Sequence, residues 1–234
     1  MERRRLGRTG HESSVAVLGG AACWAATVEE AGEWLALALA HAVTSLEELD
    51  RRSAAIEQIV ALREAGHTRF AGITGHDLEV PRAHLEALRR FDLDTVMFPV
   101  YPGLWARPEY REACEELLAL CAERDVGVMA IKAAAQRPWP DRRPLADAVA
   151  GDAATAARWA NSWYEPVATD EDLDRGIHFA LSTPGVHAFC TPGDMALLPR
   201  VLASAERYAS MSDAARRAAV EAMAPEELIF PMPR

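Results

Sequence analysis

Two features of the sequence carry residue types that can do chemistry. The stretch Thr191, Pro192, Gly193 and Asp194 follows the apolar run "GVHAFC" and precedes a helical pattern. The backbone amides at a helix start can hold a phosphate, although the stretch can equally do no more than begin a helix. Lys132 is the only lysine among 25 lysine and arginine residues, so any mechanism that requires a lysine has one candidate.

Two histidines also follow apolar runs. His41 ends "LALAH", and His76 ends "RFAGITGH", where Thr74 and Gly75 precede it. Active sites of parallel barrels lie at the carboxyl ends of the strands, which makes these positions candidates for a site. The alternatives are a histidine that only caps a strand, and a turn that needs glycine for its backbone.

Parallel βα units must position these residues. From residue 68 onward, short apolar runs alternate with longer helical periods, which is typical of a parallel sheet. The predicted strands are "TRFAGITG", "DTVMFPVY", "VGVMAIKAAA" and "GVHAFCTPGD", and a helix is predicted after each. Upstream, "RRRLGRTGHESSVAVLGGAACW" predicts two short strands joined at a turn that contains glycine.

Two capping boxes mark helices on either side of the first histidine. Thr27 and Glu30 have the spacing that opens the predicted helix "VEEAGEWLALALA". Ser45 and Glu48 repeat this spacing before "LEELDRRSAAIEQIVALREAG", whose last glycine suits a C-terminal cap. The first helix is therefore expected to run directly into the end of a strand.

The segment from Ala134 to Ala168 is too long and too rich in proline and tryptophan for an ordinary connection. It follows the carboxyl end of a strand, where lids and binding loops of barrels lie. Trp139, Trp159, Trp163 and Tyr164 are candidates to close over a ligand. The alternatives are that these aromatic side chains pack the loop down, or that the segment is a partly disordered insertion.

Length and composition bound the class of protein. The 234 residues, half of them hydrophobic, fit a single domain over 1–234. A net charge of -10 disfavours nucleic acid and anionic membranes as partners and favours small molecules or proteins. No apolar run has the length of a membrane span and no signal-peptide core is evident, so a cytoplasmic location is expected. The four cysteines lack metal-binding spacing, which predicts no metal site and free thiols.

Taken in order, these motifs resemble the aldo/keto reductase family. "RRRLGRTG" with "SSVAVLGGAACW" is similar to the family's N-terminal hairpin and first barrel strand, and "LALAHAVTSLEELD" to the stretch that ends in a strand-four histidine. "RFAGITGH" is similar to its fifth strand, and "STPGVHAFCTPGD" to its eighth strand and phosphate-side loop. The resemblance implies an α/β fold, a TIM-type (β/α) barrel with an N-terminal β-hairpin.

The resemblance also implies that part of the barrel is missing. In the family, two further strands lie between the first helix and the strand that ends in the histidine, whereas here that helix leads directly to His41. An internal deletion within strands two to four and an incomplete barrel of about five or six strands are therefore expected. The family's catalytic aspartate, tyrosine and lysine belong to the missing units. Tyr101, Tyr110, Tyr164 and Tyr208 fall outside the tyrosine's motif, and Asp94 only imitates the aspartate's.

By resemblance, His41 is the one catalytic position that carries over, where a histidine helps to orient the substrate carbonyl. The other candidate residues match the family's binding sites for the nicotinamide carboxamide, the nicotinamide ring, the phosphate groups and a 2′-phosphate. Lys132 is placed to point into the barrel mouth. The implied cofactor is NADPH or NADH. The predicted cofactor-binding residues are Thr74, Gly75, His76, Tyr101, Lys132, Thr191, Pro192, Gly193, Asp194 and Arg200.

The sequence thus predicts an aldo/keto reductase-type oxidoreductase that reduces aldehydes or ketones with NAD(P)H but is catalytically impaired. Its partner, where active, is a small carbonyl substrate. The alternative is a non-catalytic nucleotide-binding or protein-interaction remnant of the family. An incomplete barrel leaves sheet edges open, which favours self-association.

Overall fold

The computed structural model describes residues 1–17, 37–139, 162, 164–194 and 196–231. Within them, six parallel strands form one sheet in the order β3, β10, β7, β6, β5, β4. The predicted incomplete parallel barrel is confirmed, because the sheet has two ends. They are formed by β3 and β4, which match the first and fourth barrel strands of the resemblance. The strands are β3 (Ala16–Val17), β4 (Leu37–Ala40), β5 (Phe70–Thr74), β6 (Thr95–Pro99), β7 (Gly127–Ile131) and β10 (Ala188–Cys190).

The described helices follow the predicted order along the chain. The Ser45 hydroxyl accepts a hydrogen bond from the Glu48 amide at 3.2 Å, which confirms the second capping box. The short helix Pro102–Trp105 and the last helix, Asp213–Met223, were not predicted from the sequence. The helices are α1 (Leu46–Glu64), α2 (Val80–Arg90), α3 (Pro102–Trp105), α4 (Pro108–Glu123), α5 (Asp170–Ser182), α6 (Leu198–Glu206) and α7 (Asp213–Met223).

The N-terminal hairpin covers the end of the sheet where its strands begin. Strands β1 (Arg3–Arg5) and β2 (Glu12–Ser14) pair antiparallel, as predicted. The turn between them brings Leu6 against Gly127 at the start of β7, where an added Cβ would lie 2.8 Å from Leu6 Cγ. The amino-terminal end of the half-barrel is therefore closed by the hairpin, and its opposite end is left to form a mouth.

The segment "LALA" corrects one prediction. Leu37–Ala40 was expected to end a helix, but it forms β4 and pairs in parallel with Phe70–Ile73 of β5. Pairing with a neighbouring strand has overridden the helical propensity of leucine and alanine. The rest of that predicted helix, including Thr27 and Glu30, lies outside the described residues.

Part of the long segment after β7 is regular, which the sequence did not indicate. Strands β8 (Ala135–Pro138) and β9 (Tyr164–Pro166) pair antiparallel. The side-chain nitrogen of Trp139 donates to the carbonyl of Ser162 at 2.7 Å, so this aromatic packs the segment onto itself. Trp159 and Trp163 lie outside the described residues.

The sheet separates two apolar layers. On the face that carries the helices, residues such as Ile73, Val96, Phe98 and Val128 are fully buried. Because side chains alternate along a strand, the next residues face the inside of the half-barrel. There Leu6, Met129, Ile131, Ala188 and Cys190 form a second buried cluster, with Val17, Leu37 and Met97 packed against it.

The cysteines in the described part of the chain are buried. Cys114, Cys121 and Cys190 are buried free thiols, and burial raises the pKa of Cys121 and of Cys190 to about 12. Cys23 lies outside the described residues.

None of the helices in the described ranges is long and apolar enough to cross a membrane.

Candidate functional site at the mouth of the half-barrel

The mouth is the edge of the sheet where the parallel strands end. His41 follows β4, His76 lies two residues beyond β5, Lys132 follows β7 and Thr191 follows β10. All the strand pairs are parallel, so these ends lie along one edge of the sheet. The structure therefore brings together the histidines, the lysine and the loop that the sequence singled out.

His41 and His76 contact each other across the ends of β4 and β5. Their ring centroids are 5.6 Å apart, and the ring planes meet at 72°. Burial, followed by the charges of Lys132 and His41, lowers the pKa of His76 to about 3. The pKa of His41 is also lowered, first by burial and then by the charges of Arg52 and Lys132. Both imidazoles are therefore neutral at pH 7 and lie in the field of one amine.

Gly75 is required by packing at this point. An added Cβ would lie 2.4 Å from the Val43 carbonyl oxygen and 2.4 Å from Val80 Cγ2. The Val43 amide also donates to the Thr74 carbonyl at 2.9 Å, which ties the segment after β4 to the end of β5. This close approach accounts for the glycine without a ligand, and the carboxamide role of Thr74, Gly75 and His76 remains a prediction.

Lys132 stands at the end of β7 in a left-handed backbone conformation, with φ of 68°. Its ammonium nitrogen lies over the ring of Tyr164, 5.4 Å from the ring centroid. Burial lowers the pKa of Lys132 to about 7, and the nearby Cys190 thiol opposes this shift. The sequence placed the lysine in the mouth but missed its aromatic neighbour, because Tyr164 lies 32 residues further along the chain.

The loop after β10 forms a hydrogen-bonded turn directly before α6. The Asp194 carboxylate, 3% exposed, accepts hydrogen bonds from the amides of Ala196 and Leu197 at 2.9 and 3.1 Å. The Thr191 amide donates to the Val17 carbonyl at 2.8 Å and so belongs to the sheet. Two of the amides that the sequence offered to a phosphate are therefore already bonded to a carboxylate, which favours the plain helix-start interpretation.

Arg200 extends from α6 toward the start of α5. Its guanidinium donates to Asp170 at 2.7 Å and to the Ala168 carbonyl at 2.9 Å. These bonds hold two helices together and engage the group that was predicted to contact a 2′-phosphate. That role stays a prediction, and the geometry does not support it.

Tyr101, Tyr110 and Tyr164 are deeply buried. Tyr101 is 1% exposed within the layer between the sheet and the helices, and burial raises its pKa. Tyr110 is also buried there, and its hydroxyl donates to the Pro99 carbonyl at 2.8 Å. Burial raises the pKa of Tyr164 as well. Tyr101 was expected to flank a nicotinamide ring, and that role remains a prediction.

Asp94 lies at the opposite edge of the sheet, directly before β6. It accepts hydrogen bonds from Arg8 and Arg63, each at 2.9 Å, and from the Ala71 amide at 2.9 Å. This aspartate binds the hairpin and α1 to the sheet, at the edge opposite the mouth. In the part of the chain that the structure describes, no group of three or more His, Cys, Asp or Glu residues is placed to hold a metal ion.

Sequence comparison finds no match for this chain: no family model fits it, and no curated protein is similar to it. Comparison of structures finds aldo-keto reductases. One, from Bacillus halodurans in its holo form, has a TM-score of 0.49 and 16% identity over 84% of this chain and 61% of its own. Another, from Klebsiella pneumoniae in complex with NADPH, has a TM-score of 0.48 and 16% identity over 86% of this chain and 63% of its own.

The chain's own strand order, hairpin and mouth define its class as an incomplete parallel (β/α) barrel. The two solved structures described above are aldo-keto reductases, each 16% identical to this chain. The chain spans about 61% of the Bacillus halodurans protein's length, so activity, cofactor and substrate are matters for a proposal.

Proposed function

We propose that this chain is an aldo/keto reductase-type barrel in which NAD(P)H-dependent reduction of aldehydes and ketones is impaired. The observation that carries the proposal is the relation of Lys132 to Tyr164, in which the ammonium lies over the ring face at 5.4 Å. In a reductase of this type, a lysine acts on a tyrosine hydroxyl. Here the lysine cation faces the ring of the tyrosine nearest to it.

Proton donation to a carbonyl oxygen requires an acid whose pKa lies near the working pH. The ordinary pKa of tyrosine is about 10, so it must be lowered by a neighbouring cation. Burial instead raises the pKa values of Tyr101, Tyr110 and Tyr164. His41 remains at the mouth and can hydrogen-bond a carbonyl, but its pKa is lowered and it is neutral at pH 7. These residues orient a carbonyl better than they protonate it.

The residues after β10 do not fit the phosphate groups of a nicotinamide dinucleotide. Asp194 brings a carboxylate to the turn before α6 and accepts from the amides of Ala196 and Leu197. Arg200 is engaged by Asp170. A dinucleotide phosphate would have to displace one carboxylate and approach another, so weak binding of NADPH and NADH is proposed, and no reaction step is routed through the cofactor.

The test combines binding and turnover on one preparation. The purified chain is titrated with NADPH and with NADH, followed by fluorescence and by thermal shift, and is then assayed with a panel of aldehydes and ketones. We expect no sustained NAD(P)H consumption and no rise in melting temperature at cofactor concentrations that saturate a reductase. Sustained turnover that His41→Gln abolishes would overturn the proposal.

A second candidate is an interaction protein that associates through the terminal strand β4. Leu37, Ala38 and Leu39 are half-exposed on this strand, which is terminal among the described strands of the sheet, and a terminal apolar strand favours pairing with a second copy. Light scattering on the purified chain and on Leu39→Lys tests this candidate. A dimer that the lysine disrupts supports it, and a monomer at all concentrations excludes it.

A further inference from the structure

We propose that a cleft on the outer side of the half-barrel binds a small amino acid that carries an apolar side chain. The cleft lies between α4, the turn from α5 to β10, and α7, and its volume is about 320 Å³. Sites for small molecules begin at about this volume. Its lining residues belong to the helices and to that turn, and not to the strand ends at the mouth. Binding here is therefore independent of the impaired reduction proposed above.

Arg216 of α7 brings a positive charge to the cleft. Its side chain is 18% exposed, and its Nε is buried without a hydrogen-bond partner. The ion pair that the described residues offer it is with Asp213, at 3.8 Å, which is too long for a hydrogen bond. The Asp213 side chain is itself 85% exposed, so solvent screens this pair. A largely buried guanidinium in this state gains free energy when an anion accepts a hydrogen bond from it.

Aromatic packing holds this guanidinium in place. It lies over the ring of Phe179, 5.5 Å from the ring centroid, and Phe179 is 1% exposed. The Phe179 ring in turn meets the ring of Trp105 edge to face, with the centroids 5.7 Å apart. Trp105 also lines the cleft. The cation is thus positioned before a ligand arrives, which reduces the entropy lost on binding.

Glu115 of α4 supplies the opposite charge. It is exposed and lines the same cleft as Arg216. Among the described residues it forms no ion pair with Arg216, so two opposite charges line one cleft without neutralising each other. A carboxylate ligand alone would meet the negative charge of Glu115, and an amine alone would meet the positive charge of Arg216. A ligand that carries both a carboxylate and an ammonium group complements both.

The floor of the cleft is apolar. From α4 come Leu118, Ala119 and Ala122, which share one face of the helix with Glu115. The turn from α5 to β10 contributes Gly185, where an added Cβ would lie 3.4 Å from Leu118 Cδ2. A side chain at this glycine would therefore fill space over Leu118. An apolar group of modest size is the part of the ligand that this floor accepts, and its burial contributes to binding.

Titration calorimetry on the full chain, with L-leucine as the probe, tests this assignment. The compound 4-methylpentanoate keeps the carboxylate and apolar chain of leucine without its ammonium group, and 3-methylbutylamine lacks the carboxylate. Arg216→Met removes the cation and keeps an apolar side chain over Phe179. Its matched control is Arg217→Met, at the exposed neighbouring position. Glu115→Gln is paired with Glu112→Gln, which is exposed on the same helix.

We expect saturable binding of one leucine per chain. Arg216→Met should raise the Kd on the order of 10- to 100-fold, because a hydrogen bond between charged groups is lost. Glu115→Gln should weaken binding about 2- to 5-fold, since this charge is exposed. Both control variants should bind leucine as the wild type does. The two comparison compounds should each bind more weakly than leucine.

Thermal unfolding separates a binding role of Arg216 from a structural one. Without leucine, Arg216→Met should be at least as stable as the wild type, because the Nε has no partner to lose and the ion pair is long. Leucine should raise the Tm of the wild type and not that of the variant. If Arg216→Met is destabilised or does not fold, Ala119→Phe, at an exposed position, fills the cleft and should abolish binding.

Three results would overturn the proposal. The first is the absence of saturable binding at millimolar leucine. The second is leucine binding that Arg216→Met or Ala119→Phe leaves intact. The third is binding of 4-methylpentanoate that is as tight as that of leucine, since the ammonium group would then have no part in recognition.

Discussion

The imidazole rings of His41 and His76 meet edge to face, with their centroids 5.6 Å apart. The two residues end neighbouring parallel strands, and both have lowered pKa values. The mouth of this half-barrel is therefore a place where charge is disfavoured, and the protonation of its residues should be visible in the pH dependence of stability.

Acid should destabilise the protein through its buried histidines. The pKa of His84 is about 3 in the folded protein and about 6.5 when unfolded, because burial disfavours the charged ring. The unfolded state then binds more protons between these values, so stability is complete above pH 6.5 and is lost as pH falls toward 3. His84→Gln should reduce the slope of unfolding free energy against pH by up to about 1.4 kcal/mol per pH unit between pH 6 and 5.

Urea titrations at several pH values measure that slope. His67→Gln, at an exposed position, is the matched control and should leave it unchanged. If the His84 variant does not fold, His76→Gln tests the same expectation, since the pKa of His76 is also about 3. A slope that both variants leave intact would contradict the expectation.

Asp194 should contribute to stability by accepting hydrogen bonds in the turn before α6, as a capping residue does at a helix start. Asp194→Ala removes the acceptor for the amides of Ala196 and Leu197, which should cost about 0.5–2 kcal/mol. Asp194→Ser retains a capping oxygen without charge and should recover most of that loss. Thermal unfolding of the Asp194 variants measures this loss of stability, and Glu57→Ala, at an exposed helix position, is the control. An alanine variant as stable as the wild type would show that the cap contributes nothing.

The ion pairs around Asp94 should matter more than those on the surface. Arg63→Ala leaves a carboxylate that is 7% exposed with one cationic partner fewer, and we expect a loss of about 2–4 kcal/mol. Arg51→Ala removes an exposed helix pair with Glu47 and should change stability by less than about 1 kcal/mol. Chemical denaturation of both variants compares them directly, and equal losses would contradict the distinction between buried and exposed pairs.

Gly176 should tolerate no side chain, although it lies inside a helix. Alanine is about 1 kcal/mol better than glycine in a helix interior, but its Cβ would lie 2.2 Å from the Ala133 carbonyl oxygen. Gly176→Ala should therefore destabilise the protein by about 1–3 kcal/mol. Glu171→Ala, exposed on the same helix, is the control in thermal unfolding. A stabilised Gly176 variant would show that the packing of α5 on this turn is loose.

Much of the fold could be predicted because its signals are local. Ser45 caps α1 as expected from its spacing to Glu48, and the apolar runs after residue 68 became parallel strands. The prediction for Leu37–Ala40 was wrong because a four-residue apolar run suits a helix or a buried strand equally. The choice between them depends on pairing with β5, which is 30 residues away in the chain and invisible to a local pattern.

The sequence predicted which residues lie at the candidate site, but it did not predict their burial, pKa or hydrogen-bond partners. Sequence alone determined that His41, His76 and Lys132 follow strands, and that Lys132 is the only lysine. Only the tertiary structure decided that Asp194 binds the amides of the turn before α6, that Tyr101 is buried in the main apolar cluster, and that Lys132 lies half-buried over Tyr164. The physical reason is that burial, pKa and hydrogen-bond partners depend on residues distant in sequence, whereas strand ends are marked by the residues themselves.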